Sequence, residues 1–172
     1  MARLIAGLFE PTSGQVRLGG IEPASDRQGA LAAVGILFQN PDHQIIFPTV
    51  IEELTFGLRQ QGKGKDVAAD DARLILESFG KSHWENAAIH LLSQGHKHLV
   101  CLMAIMAMQP RLIVLDEPFA GLDAADIVNY DEVIWLEAGR LEAKGTAETV
   151  LAAYHKAMLE AGATDDIADL AG

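Results

Sequence analysis

The residues with chemical potential fall into three short groups. Asp116 and Glu117 stand side by side at the end of an apolar run, LIVLDEP. Ser93 and Gly95 sit in LSQGH, residues 92–96, and Gln39 closes LAAVGILFQN just before Asn40-Pro41-Asp42. Carboxylates that leave a buried strand at the C-terminal edge of a parallel sheet lie where such folds bind ligands. A phosphoryl-transfer centre needs a carboxylate near a magnesium ion and a group that orients the attacking water, and adjacent strand-end residues can supply both. Ser93 can cap the helix that follows it. Gly95 leaves backbone amides uncovered, which favours a phosphate at that helix end. A neutral amide at Gln39 can sense a terminal phosphate or a metal-bound water. Each group also has a plain structural reading: a strand ending in solvated charge, an ordinary helix cap, a surface glutamine.

The elements that must position these groups follow from periodicity and punctuation. Ala2, Ile5 and Leu8 share helical spacing, Pro11, Ser13 and Gly14 make a turn, and GQVRLGG (14–20) predicts a short strand and turn. Val34, Ile36 and Phe38 predict a buried strand that ends in the Asn40-Pro41 turn. VIEELTFGL (50–58) predicts a short helix, and Gly62–Lys65 a loop. Over 66–79, Ala68, Ala72, Ile75 and Phe79 fall on one face of an amphipathic helix. Ser93 opens a helix that runs to about Met108 and stops before Pro110. Leu112–Leu115 predicts a buried strand, and 133–137 and 140–143 flank Ala138-Gly139 as a hairpin. A last helix covers 146–160, and the acidic ATDDIADLAG is expected to fray.

Bulk composition narrows the partners. The chain has 172 residues, 49% hydrophobic and 22% charged, enough for one domain with a core. A formal net charge of −11, from 13 basic and 24 acidic residues, argues against nucleic acid and anionic lipid. The lone Cys101, inside LVCLMAIM, reads as a buried core residue. The longest apolar run, Leu99–Met108, is too short to span a bilayer, and no secretion signal is visible. His96 and His98 are two apart on a helix and do not face one another, which speaks against a metal site.

Taken in order, Gln39, a helical insert, LSQGHKHLV, LIVLDEP and AGLD resemble the ATP-binding-cassette family. Gln39 matches the Q-loop, Leu92–His96 the signature motif, Asp116 and Glu117 the Walker B motif, and 119–123 the D-loop. The stretch LFQNPDHQIIFPTVIEELTFGL is similar to the energy-coupling-factor branch, and QGHKHLVCLMA to biotin-importer ATPases within it. Two signature positions depart from the family pattern: Gln94 stands for the usual Gly and His96 for the usual Gln.

The resemblance implies an α/β fold, an incomplete P-loop-NTPase (RecA-like) parallel sheet with a small helical subdomain carrying the signature motif. A cassette is expected over 1–161, with the helical subdomain at about 50–108 and an acidic tail over 162–172. The implied cofactors are ATP and Mg²⁺. Asp116 would hold the metal through water, Glu117 would polarise the attacking water, and Gln39 would contact metal and γ-phosphate and relay to a membrane partner. Ser93 and Gly95 would cover the γ-phosphate of a nucleotide on a second cassette, and Asp123 would help join the two cassettes. The implied partners are that second cassette, of the same or another kind, and the transmembrane coupling protein of an importer. The implied location is cytoplasmic, peripheral at the inner face of the cell membrane.

Two family parts have no match in these residues. No G-x-x-x-x-G-K-[ST] phosphate loop occurs, and the chain is expected to begin just downstream of it. Gly80-Lys81-Ser82 is a decoy, because the position five before Gly80 is Ile75 on the amphipathic helix. After Asp123 the chain runs through Ala124-Ala125-Asp126 almost directly to Tyr130, and no His lies between His98 and His155. The family's switch His and its strand are therefore absent. Loss of central strands should uncover apolar faces and lower the stability of the isolated chain. The expected function is the ATP-binding subunit of an energy-coupling-factor importer, of the biotin or cobalt/nickel class, coupling ATP hydrolysis to uptake. The alternative is a non-catalytic cassette, or a gene fragment, that at most donates its signature motif to a partner.

Overall fold

The computed structural model describes residues 2–116, 130–137 and 140–168, with the side chains of 4–116, 130–137 and 140–160. The chain divides into two compact units, Met1–Phe119 and Ala120–Gly172.

The first unit begins with a short helix, α1 (Ala2–Ile5). The strand expected over 14–20 does not form. Leu18 and Ile21 instead exchange backbone hydrogen bonds of 2.8 and 3.0 Å around Gly19 (φ +58) and Gly20 (φ +90). Two adjacent left-handed glycines close a tight turn, and the turn takes the residues that the strand needed. A helix that periodicity did not reveal, α2 (Arg27–Ala33), follows. Its start signal is Asp26, whose carboxylate accepts from Gly29 N–H at 2.8 Å.

Strand β1 (Val34–Leu37) leads from α2 and pairs in parallel with β2 (Leu112–Leu115), in register Leu37↔Leu115. Among the described residues this sheet has two strands. Between them in sequence lie α3 (Val50–Gln60), α4 (Lys65–Ser78) and α5 (Gln94–Ala107). Their core is dry: Val50, Leu54, Leu58, Ala68, Ala72, Leu76, Val100 and Met103 are fully buried. The face expected from Ala68 and Ala72 is the packed one, with Leu76 joining it while Ile75 and Phe79 are partly covered. Gly80 (φ +64) ends α4: its N–H donates to Glu77 C=O at 2.9 Å and Lys81 N–H to Leu76 C=O at 2.7 Å. That pairing is a Schellman cap, so Gly80-Lys81-Ser82 stops a helix rather than cradling a phosphate.

From Leu99 onward helix α5 is apolar around its circumference because it is covered on two sides. Val100, Met103 and Ala107 join the helical core, while Cys101 and Ile105 pack on Leu37 of the sheet. Gly35 lets the strand approach, since a Cβ there would collide with the Ile105 side chain. The chain leaves α5 through Gln109 in a left-handed conformation (φ +51) and enters β2 after Pro110.

The second unit is a hairpin, β3 (Val133–Glu137) with β4 (Arg140–Gly145), and a helix, α6 (Ala147–Ala168). Trp135 meets Tyr154 of α6 edge-on at 5.5 Å, over buried Ala147, Val150 and Leu151. The helix runs past residue 160, where it was expected to end. No helix among the described residues is long and apolar enough to cross a membrane.

Candidate functional site

The site grows from the ends of the parallel pair. Because β1 and β2 run the same way, their C-terminal ends lie together, and Asp116 N–H donates to Leu37 C=O at 2.9 Å. Gln39 and Asp116 therefore leave one edge of the sheet on neighbouring strands, and both are exposed. The turn after Gln39 is built locally. Asn40 caps it, its side-chain oxygen accepting from Asp42 N–H at 2.9 Å, and Pro41 supplies the first turn position. Gln44 Oε1 accepts from Phe38 N–H at 3.2 Å and ties the turn back to the strand. Glu53 holds the next residues: its buried carboxylate accepts from Ile46 and Phe47 N–H, both at 2.9 Å.

The second component is the start of α5. Ser93 caps it as expected, its Oγ accepting from His96 N–H at 3.3 Å. Ser93, Gln94, Gly95 and His96 are exposed, and a Cβ placed on Gly95 would meet nothing within 4 Å. No side chain stands over this turn at Gly95, while the His96 N–H is taken by the Ser93 cap, and a helix start left open in this way suits an incoming anion. His96 leans on the Trp84 ring at 4.8 Å between centroids, while Lys81 lies 5.0 Å from the same ring centroid.

The two components meet through Asp42, Gln94, Lys97 and His98, to which the motifs gave no such role. Lys97 Nζ donates to Asp42 Oδ1 at 2.7 Å, and Gln94 Nε2 donates to Asp42 Oδ2 at 2.9 Å. His98 Nε2 lies 2.7 Å from Gln39 C=O. The Lys97 bond, then the Gln94 bond, hold the Asp42 carboxyl below its ordinary value. The available signal was the spacing of Gln94, Lys97 and His98, which places them on one helix face. Of the sequence-predicted residues, Gln39 and Asp116 share the sheet edge, and Ser93 and Gly95 share the helix start. Glu117 and Asp123 lie outside the described residues. Cys101 is 1% exposed, and burial pushes its thiol up to about 12.

The donor set suits a hard cation. A carboxylate and a carboxamide oxygen at one open edge are the one or two protein ligands that magnesium takes when phosphates supply others. Gln39 and Asp116 are the residues that would hold it.

Residues 1–120 match the family model described as ABC transporter. The biotin transport ATP-binding protein BioM of Rhodobacter capsulatus is 42% identical over 92% of this chain and 78% of its own length. The energy-coupling factor transporter ATP-binding protein EcfA of Methanosphaera stadtmanae is 41% identical over 68% of this chain, which spans 43% of that protein. A solved structure of cbiO1 from Clostridium perfringens, part of the ABC transporter complex cbiONQ, superposes with a TM-score of 0.62 at 23% identity. It covers 89% of this chain and 74% of its own. The BioM alignment runs over 182 positions, whereas 92% of 172 residues is about 158, so about 24 positions of that relative face a gap in this chain.

Proposed function

Because this chain belongs to the ABC transporter family, we propose that it is the ATP-binding subunit of an energy-coupling-factor importer of the biotin or cobalt/nickel class. In this reading it works at the inner face of the cell membrane, paired with a second ATP-binding cassette and seated on a transmembrane coupling protein. The cassette covers 1–161, with its helical subdomain at about 50–108 and an acidic tail over 162–172. One observation carries the reading: Gln39 and Asp116 leave the same edge of a parallel sheet, while the exposed Ser93–Gly95 turn opens a helix tied to the Gln39 turn.

The chemistry then divides among this chain's residues. Asp116 and Gln39 would hold Mg²⁺, which would spread the charge of the nucleotide phosphates when bound. Glu117 orients and polarises the attacking water. The Ser93 hydroxyl and the amides near Gly95 cover the γ-phosphate of ATP carried by the second cassette, and Asp123 helps to join the pair. The test is ATP hydrolysis by the assembled complex. Ser93→Arg places a bulky cation on the phosphate face and should lower turnover at least about a hundredfold, the scale of losing a transition-state contact. An unchanged rate overturns the assignment.

A second reading has its own observation, the roughly 24-position gap against BioM together with the absence of histidine between His98 and His155. Here the chain is a non-catalytic cassette that donates Ser93 and Gly95 to a partner's nucleotide. Partner turnover that survives Glu117→Gln but not Ser93→Arg selects this reading; loss with both selects the first.

A further inference from the structure

The Gln39 turn and the first turn of α5 are separate elements, 55 residues apart between Asp42 and Lys97. Each is stiff by itself. The turn is closed by the Asn40, Pro41 and Gln44 contacts, and α5 is packed on both sides. Between them sits one carboxylate with both oxygens engaged: Oδ1 by Lys97 and Oδ2 by Gln94. His98, on the same face of α5, reaches Gln39 C=O and lies 3.2 Å from Gln94 C=O through its other ring nitrogen. The Lys97 side chain is 16% exposed and that of Asp42 45%. An isolated surface ion pair contributes little. A carboxylate with two donors, inside a set of contacts that also includes a histidine, is ordered in a way that a single pair is not. The network also gives Gln94, which departs from the family's signature pattern, a task of its own as a donor to Asp42.

We propose that Asp42 is a positioning residue that, through Gln94 and Lys97, fixes the Gln39 turn to the start of α5, so that a displacement of the turn carries Ser93 and Gly95 with it. This rests on the function proposed above for Gln39, Ser93 and Gly95. The device is mechanical: the turn and the helix start, which also meet through His98 on Gln39 C=O and the apolar packing of Ile45, are locked by a charged pin, so that motion imposed on one is passed to the other instead of being absorbed in a loose loop.

Two measurements separate this proposal from the function it rests on. The first needs no nucleotide. Amide hydrogen exchange of the full chain is followed at 43–45 and 97–100, where the backbone N–H groups are bonded. Asp42→Asn should raise exchange in both segments by about fivefold and leave α4 unchanged, the scale of losing a partly exposed charge contact. The exchanged pair Asp42→Lys with Lys97→Asp should recover most of the protection. Unchanged exchange at 97–100 in Asp42→Asn, or a swap no better protected than the single variant, overturns the proposal. Should Asp42→Asn not fold, Lys97→Met and Gln94→Gly probe the same contacts from the helix side and are read the same way. The second measurement is substrate transported per ATP hydrolysed by the assembled complex. Asp42→Asn should lower this ratio at least about threefold, and the swap should restore it. A merely structural role lowers the amount of folded complex without moving the ratio, so an unmoved ratio also overturns the proposal. If the unmodified complex hydrolyses no ATP, the proposed function fails while the exchange result still judges the pin.

Discussion

Within the first unit, the helical block and the strand pair make opposite use of apolar residues. In the block, Leu54, Leu58, Leu76, Val100 and Met103 are fully shielded. In the pair, β2 is only half-covered along Leu112–Leu115, and of β1 only Leu37 is buried. An open pocket of about 320 Å³ flanks β1, lined by Leu8, Pro23, Leu31, Val34, Ile36 and Phe38. Parallel strands normally have both faces covered and neighbours on either side. The helical block satisfies itself, whereas the sheet is left with apolar surface that its own described neighbours do not cover. The proposed chemistry nevertheless draws on both, with Gln39 and Asp116 on the sheet and Ser93 and Gly95 on the block.

Cys101 lies where the two regions meet, beside Leu37 and Ile105, and gives the largest expected effect. Its thiol has risen from a reference value of 9.0 to about 12. At pH 8 the native thiolate fraction should lie far below that of the unfolded chain, so alkylation of this buried thiol should be slower by about two orders of magnitude or more. Followed through a denaturant series, alkylation should begin before helical circular dichroism is lost, because the sheet side opens first. Coincident transitions would erase the distinction between the regions. The sign follows from linkage: a raised thiol value costs no stability below about pH 9 and an increasing amount as pH climbs towards 12.

Truncation inside each region gives the next effect. Leu54→Ala empties a fully buried site and should cost about 3 kcal/mol, whereas the same truncation on the half-covered strand, Leu115→Ala, should cost about 1.5 kcal/mol. Equilibrium denaturation measures both. Comparable losses would show that the strand pair is as well packed as the block.

The smallest effect concerns the join between the sheet-end turn and the block. Asp42 is held below its reference value of 3.8 by Lys97 and Gln94. A depressed carboxyl contributes stability that is present above 3.8 and is lost as pH falls through the lower folded value. The exchange protection at 43–45 should therefore be flat above pH 4, after correction for intrinsic rates, and decline only in stronger acid. A decline centred above pH 4 would show that the carboxylate is not engaged.

Much of this was legible in the residues. The α4 face announced itself through Ala68 and Ala72, the α5 cap through Ser93, and β2 through an apolar run ending in Asp116, because each depends on neighbours within a few positions. The misses have equally local causes. GQVRLGG looked like a strand until two left-handed glycines spent it on a turn, and α2 was too short at seven residues to show a period. The pin of Asp42 to Gln94 and Lys97 could not be read at all, since nothing local in a sequence says which surface carboxylate faces which helix.

By itself, then, the sequence determined most of the elements and the family resemblance, and it singled out Gln39, Ser93, Gly95 and Asp116 as candidates, because order and spacing along the chain encode them. Tertiary structure alone decided that Gln39 and Asp116 share one sheet edge, that α5 is covered on two sides, and that Asp42 joins the turn to the helix. Those facts depend on the parallel register of β1 with β2 and on contacts across more than fifty residues, which only packing brings together.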